Sequence, residues 1–168
     1  MGYDLSSLPP ADALVALRSF PRRYRESLQP IEDDESIEEM AQRVGPDGLS
    51  MVELVADTVR TWTVQREALR QIRLADTPVI HPAVVDASAR QWEAPVHETL
   101  AGALAQLADE ATELGDEVEH FSAHTWTRSA TAAGGASVTA LDVVRDAVRV
   151  GRDNLDTAGQ ALAAQRSR

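Results

Sequence analysis

Apolar side chains recur at alternating intervals of four and three residues across one stretch in the second half of the chain. The positions are Leu100, Leu104, Leu107, Ala111, Leu114, Val118 and Phe121. Because an α-helix turns once every 3.6 residues, this spacing places them all on one face, which other helices must cover. The sequence therefore predicts a long helix after Pro95 that packs in a bundle.

Two further helices are marked by capping boxes. Ser50 followed by Glu53 opens a helix that we expect to continue to about residue 74, and Thr139 followed by Asp142 opens the last helix. In a capping box each of the two side chains accepts a hydrogen bond from the other residue's backbone N–H. These pairs fix where both helices begin.

The N-terminal region predicts a fourth helix, over residues 11–28. This segment contains Pro21, where we expect a kink or a fresh start, because proline removes a hydrogen bond from a helix interior. The acidic stretch at residues 32–44 is expected to add a short turn of helix, and "SATAAGGAS" at residues 129–137 a small flexible loop.

The connection at residues 76–95 is about 20 residues long, more than an antiparallel pair of helices needs. Such a segment can cross the bundle and let neighbouring helices run parallel. The predicted fold is all-α, a four-helix bundle with a long crossover between the second and third helices. We interpret residues 1–168 as a single domain with short flexible ends at about 1–10 and 163–168.

Charge and residue inventory disfavour several classes of protein. The chain has 27 acidic and 16 basic residues and a net charge of -11, which would repel nucleic acid and anionic membranes. It contains neither lysine nor cysteine, which rules out Schiff-base chemistry, thiolate nucleophiles and disulfides. With no apolar run long enough for a membrane span and no signal-peptide pattern, the expected location is the cytoplasm.

Histidine pairs do not indicate a metal site. His120 and His124 have the spacing of helical zinc ligands, but we expect them to straddle a helix end. His97 and Glu98 match half of a zinc-protease motif, and the second histidine is missing because position 101 is alanine.

The remaining aromatic and histidine residues have ordinary structural interpretations. Trp62 is expected in the core, whereas Trp92 and Trp126 are expected in loops that cover the ends of the bundle. His81 precedes Pro82 in the crossover, and we expect a solvated or capping role for it.

Polar residues flank the apolar stripes of two helices. Asp57 lies just past the edge of the second helix's stripe, and Val150 and Asn154 occupy a comparable flank of the last helix, one turn apart. Two interpretations stay open: a small polar pocket, or a hydrogen-bonded pair that sets the helix register. In either case we predict that Asp57 and Asn154 share a hydrogen bond or one water.

Three segments resemble the DinB-like superfamily, which includes the N-terminal bundle of mycothiol-dependent maleylpyruvate isomerase. "PDGLSMVELVADTVR", "HTWTRSA" and "VTALDVVRDAVRVGRDNL" are similar to the family's W-S-x-x-E-x-x-x-H helix start, its W-x-R turn and its last-helix ligand region. With the order of helices and the long crossover, the resemblance covers most of residues 11–160. It implies the same bundle fold.

The family binds a divalent metal through one histidine on the second helix and a His-x-x-x-His or Glu-x-x-x-His pair on the last. By this resemblance the first ligand position falls on Asp57, and the pair falls on Val150 and Asn154, or on Arg149 and Asp153 in a register shifted by one. None of these is histidine, valine has no donor atom, and arginine would place a cation against the metal. We expect no metal, no other cofactor and no catalytic residue at these positions.

Two functional hypotheses follow from the resemblance. The first is a non-catalytic member that binds a small molecule or has a structural role, including a homodimer formed through the exposed margin of a bundle face. The second is an enzyme of the family type, a metal-dependent thiol (mycothiol-type) transferase or isomerase that uses zinc or nickel.

Overall fold

A computed structural model describes residues 4–28, 37–92 and 99–167. The fold is an all-α bundle with one small β-hairpin. The helices are α1 (Pro10–Leu28), α2 (Ile37–Gln42), α3 (Met51–Leu74), α4 (Leu100–Glu119), α5 (Ala123–Thr127) and α6 (Ala140–Arg166). The strands are β1 (Ser129–Thr131) and β2 (Ser137–Thr139).

The four long helices form the bundle, in which α1 and α3 each pack against both α4 and α6. Ion pairs show the direction of α4 relative to α3. Arg66 Nε lies 2.7 Å from Glu110 Oε1, and Arg73 Nε lies 2.8 Å from Glu117 Oε1, so contacts advance in the same direction along both helices. The parallel neighbours predicted from the long crossover are therefore confirmed.

Both capping boxes are present where the sequence predicts them. The backbone N–H of Ser50 donates to Glu53 Oε2 (2.7 Å), and that of Glu53 donates to Ser50 Oγ (3.2 Å). Thr139 and Asp142 make the equivalent bonds of 2.9 and 3.1 Å. The starts of α3 and α6 are thus fixed by local hydrogen bonding, and α3 ends at Leu74 as expected.

Of the two alternatives expected at Pro21, a kink or a fresh helix start, the fresh start is wrong, because α1 continues through this residue. Leu17, Phe20 and Tyr24, on either side of the proline, are fully buried against the other helices. Packing of this face compensates for the one backbone hydrogen bond that proline cannot donate.

The flexible loop predicted over residues 129–137 is also wrong, since this segment contains a β-hairpin. β1 pairs antiparallel with β2, with Ala130 opposite Val138, and the connection includes Gly134 and Gly135, both with positive φ. β1 also bonds to the crossover, because the backbone N–H of Ile80 donates to the carbonyl of Thr131 (3.0 Å). Strands of three residues are too short to show an alternating pattern in the sequence.

The crossover contains short turns of 3-10 helix, one of them at Pro82–Val84. His81 Nδ1 accepts a hydrogen bond from the backbone N–H of Ala83 (3.1 Å), which confirms its capping role. Pro95, His97 and Glu98 lie outside the described residues. Among the helices in the described ranges, none is long and apolar enough to cross a membrane.

Glu38 of α2 caps α4 from a distance. Its carboxylate accepts hydrogen bonds from the backbone N–H groups of Leu100 (2.7 Å) and Ala101 (3.0 Å), at the positive end of the helix dipole. We expect Glu38→Ala to lower the free energy of unfolding by about 1 to 2 kcal/mol in urea denaturation. The exposed neighbour Glu39 provides the control, and Glu39→Ala should change stability by less than about 0.5 kcal/mol. Equal losses in the two variants would contradict the capping role.

Candidate functional site

The middle of the bundle is a tightly packed aromatic core. Trp62 of α3 is fully buried, and its ring centroid lies 5.6 Å from that of Phe20 of α1. Its indole Nε1 donates to the carbonyl of Ala147 on α6 (2.9 Å). The core position predicted for Trp62 is confirmed, and this contact fixes α3 against α6 beside the predicted polar pair.

A polar cluster lies between α3 and α6, next to this core. Asn154 Nδ2 is 2.9 Å from Asp57 Oδ2 and 2.9 Å from Thr58 Oγ1. The hydrogen bond predicted between Asp57 and Asn154 is therefore confirmed. Asp57 and Asn154 are half-buried, whereas Thr58 is fully buried.

Trp92 closes the cluster from the crossover. Its indole Nε1 donates to Asp57 Oδ1 (2.7 Å), so each oxygen of this carboxylate accepts a hydrogen bond from a different segment of the chain. The sequence places Trp92 in a loop but gives no sign of its partner, since loop paths follow no periodic pattern. Trp126, which was also expected in a loop, instead lies in α5 and packs edge-on against Phe121, with ring centroids 5.1 Å apart.

Tyr24 connects the cluster to α1. Its hydroxyl donates to the carbonyl of Gly151 (2.7 Å) and lies 3.1 Å from Thr58 Oγ1. Burial raises the pKa of Tyr24, because the phenolate would lose its hydration. The group is thus a neutral hydrogen-bonding partner. We name Tyr24, Asp57, Thr58, Trp92 and Asn154 together the Asp57 cluster.

The other candidate positions lie outside this cluster or lack polar atoms. Val150 is 5% exposed and supplies no donor atom. Arg149 donates through Nε to Asp146 Oδ1 (3.0 Å) and through Nη1 to Asp153 Oδ2 (3.4 Å). The structure brings Asp57 to Asn154, whereas the residues of the shifted register pair with each other and with Asp146.

A second polar group ties the crossover to α6. Asp146 Oδ2 accepts hydrogen bonds from Gln65 Nε2 (2.8 Å) and Arg90 Nη2 (2.7 Å). The Arg90 side chain is only 6% exposed and also donates to the carbonyl of Ala83 (2.8 Å). Arg90 depends on this contact, because loss of Asp146 would leave its buried charge without a carboxylate partner, whereas Asp146 also pairs with Arg149. Sequence analysis missed this group.

No group of three or more His, Asp or Glu side chains suited to a metal occurs within the ranges that the structure describes. His120 and His124 are both exposed and lie on either side of the break between α4, which ends at Glu119, and α5, which begins at Ala123. The expectation that they straddle a helix end is confirmed.

The donor set of the Asp57 cluster does not fit a divalent metal of the zinc or nickel type. Asp57 already accepts two hydrogen bonds, Asn154 presents its amide nitrogen to the cluster, and Val150 has no donor. Such metals favour three or four nitrogen, sulfur or carboxylate ligands. The arrangement instead satisfies its own polar groups and joins α1, α3, α6 and the crossover.

Asp57→Ala should remove the acceptor for both Trp92 Nε1 and Asn154 Nδ2. We expect it to lower the free energy of unfolding by about 1 to 3 kcal/mol, since two half-buried donors would lose their partner. The exposed Asp109 of α4 serves as the control, and Asp109→Ala should cost less than about 0.5 kcal/mol in the same urea titration. A double-mutant cycle with Asn154→Ala should give a coupling of roughly 0.5 kcal/mol or more. Strict additivity would show that the pair contributes nothing to stability.

Comparison with known proteins supports the fold. No protein-family model and no curated protein sequence matches this chain. Among solved structures, YfiT from Bacillus subtilis, described as a probable metal-dependent hydrolase with an unusual four-helix bundle topology, aligns with a TM-score of 0.77. The alignment covers 99% of this chain and 93% of YfiT, at 12% sequence identity. At this identity the likeness shows a shared fold and nothing about activity. The chain therefore has an all-α four-helix bundle fold, which it shares with YfiT.

Proposed function

We propose that this chain is a non-catalytic DinB-like bundle protein in which a structural polar cluster stands at the family's metal-ligand positions. The observation that carries the proposal is that both carboxylate oxygens of Asp57 already accept hydrogen bonds from protein side chains. Its two carboxylate oxygens lie 2.7 Å from Trp92 Nε1 and 2.9 Å from Asn154 Nδ2. A metal would have to break both bonds and would find no third ligand at Val150.

Metal content tests this proposal directly. Elemental analysis of protein purified without chelator should give far less than one equivalent of zinc, nickel or iron per chain. Stoichiometric metal would overturn the proposal, because it would mean that the chain assembles ligands other than those placed by the resemblance.

Binding of a small molecule would then use a different part of the surface. A groove of about 390 Å³ lies beside the C-terminal halves of α1 and α6, lined in part by Ser27, Leu155, Asp156 and Gln160. This volume falls within the range of small-molecule sites, which is roughly 300 to 1,000 Å³. In a fragment screen by NMR, we expect amide shifts to cluster at these residues rather than at Asp57. A homodimer formed through a bundle face belongs to the same proposal and is measured by sedimentation equilibrium.

A metal-dependent enzyme is the second candidate, and one observation favours it: YfiT, which shares the fold, is described as a probable metal-dependent hydrolase. Applied to this chain, and together with the resemblance to maleylpyruvate isomerase, it suggests a zinc- or nickel-dependent hydrolase or a thiol transferase or isomerase. Activity that requires added zinc or nickel and is lost with chelator would establish this alternative. The Asp57 cluster argues against it, because its donors are already engaged.

A further inference from the structure

Polar and small side chains face each other along α3 and α6 at intervals of four residues. The ladder consists of Asp57, Thr61 and Gln65 on α3, and Asn154, Val150 and Asp146 on α6. Its two ends are bonded, with 2.9 Å between Asn154 Nδ2 and Asp57 Oδ2 and 2.8 Å between Gln65 Nε2 and Asp146 Oδ2. From the first bonded pair to the second, residue numbers rise along α3 and fall along α6, so the two helices are antiparallel. Thr61 therefore lies at the level of Val150.

The middle of this ladder contains buried polar atoms that no group in the described part of the chain satisfies. Thr61 and Gln65 are fully buried. Within residues 4–28, 37–92 and 99–167, neither Thr61 Oγ1 nor Gln65 Oε1 has a hydrogen-bond partner. Buried polar atoms left in this state are costly, and ordered water is their usual partner where protein atoms are missing.

The orientation of the Gln65 amide follows from its neighbours. Its nitrogen donates to two groups that can only accept, the Asp146 carboxylate and the carbonyl of Val84 (3.0 Å). The oxygen therefore points away from both and needs a donor. Thr61 lies one helical turn earlier on the same face, where Cβ atoms are about 5 to 6 Å apart. A water that makes two bonds of about 2.8 Å can span such a separation.

We propose that one internal water molecule binds between Thr61 Oγ1 and Gln65 Oε1 and donates a hydrogen bond to Gln65. The crossover covers this position, because Arg90 bonds to Asp146 at one end of the ladder and Trp92 bonds to Asp57 at the other. The water is thus shielded from bulk solvent and exchanges slowly. This site is independent of the proposed function.

The test uses Thr61→Val, which replaces the hydroxyl by a methyl group of similar size, and Thr61→Ser, which keeps the hydroxyl. Oxygen-17 magnetic relaxation dispersion should count one long-lived water fewer in Thr61→Val than in the native protein, and no loss in Thr61→Ser. Thr61→Val should also lower Tm by roughly 2 to 6 °C, because a hydrogen bond is lost. Thr63 is exposed and donates to the carbonyl of Val59 (2.9 Å), so Thr63→Val is the matched control, with a shift below about 2 °C.

An unchanged water count in Thr61→Val would overturn the proposal. A rise in its Tm would also overturn it, because removal of a hydroxyl that has no partner is stabilising. If Thr61→Val does not fold, a structure of the native protein tests the proposal without it. A high-resolution crystal structure should show a water within hydrogen-bond distance of both Thr61 Oγ1 and Gln65 Oε1, and a dry site would overturn the proposal.

Discussion

Trp62→Ala is expected to lower the free energy of unfolding by about 3 to 5 kcal/mol, the range for truncation of a large buried aromatic side chain. The Trp62 ring is fully buried, packs against Phe20 and donates to the carbonyl of Ala147. Truncation removes contacts with α1 and α6 together, and the rigid core cannot close the cavity completely. Urea denaturation followed by circular dichroism measures the loss.

Trp126 provides the comparison for this variant. It is half-buried in α5 and packs against Phe121 at the margin of the bundle. Trp126→Ala should therefore cost clearly less than Trp62→Ala. Similar losses in both variants would contradict the assignment of Trp62 to the centre of the core.

Gly151→Val is expected to lower the free energy of unfolding by about 3 kcal/mol, the upper end of the usual cost of overpacking. A Cβ atom at Gly151 would lie 2.8 Å from Trp62 Cζ2 and 2.9 Å from Phe20 Cε2. Both rings are fully buried, and the close packing of a protein interior leaves such rings little room to move. The substitution would also push α6 away from Tyr24, whose hydroxyl bonds to the carbonyl of Gly151.

Gly159, on the same helix, is the matched control for this substitution. A Cβ atom there would meet Ser27 Oγ at 3.3 Å, the end of an exposed side chain that can rotate away. Gly159→Val should stay within about 1 kcal/mol of the native protein, since valine is also a better helix former than glycine. If Gly151→Val lowers the free energy of unfolding no more than Gly159→Val, α6 does not approach the aromatic core as closely as described.

The elements that the sequence predicts well are those determined by local signals. The two capping boxes locate the starts of α3 and α6, and the apolar stripe from Leu100 identifies α4. The contact between Asp57 and Asn154 is predicted because both lie on the flank of an apolar stripe, on helices that the resemblance places side by side. Helical periodicity and capping are sufficient for the helices, whereas the contact between them also required the resemblance.

The features that the sequence does not predict depend on the path of the chain between helices. Trp92 and Arg90 reach Asp57 and Asp146 only because the crossover lies over α3 and α6, and no periodic pattern encodes that path. The β1 strand of the hairpin also pairs with the crossover through backbone hydrogen bonds, which no local pattern in the sequence indicates. In the sequence, Gly151 is simply one more residue of the apolar stripe on α6. In the structure, its lack of a side chain leaves the space that the rings of Trp62 and Phe20 occupy.

Zinc titration by calorimetry tests most directly whether the Asp57 cluster stands at the family's ligand positions. The triple variant Asp57→His, Val150→Glu, Asn154→His places three zinc ligands there and leaves an open fourth position. The affinity depends on supporting contacts, which typically matter ~10 to 100-fold. The matched control places the ligands in the shifted register: it keeps Asp57→His and replaces the two changes on α6 by Arg149→Glu and Asp153→His.

We expect one equivalent of bound zinc for the triple variant, with its helical content retained, and no such binding for the native protein or the shifted control. Stoichiometric zinc in the native protein, or no gain in the folded triple variant, would contradict the assignment of Asp57, Val150 and Asn154 to the ligand positions.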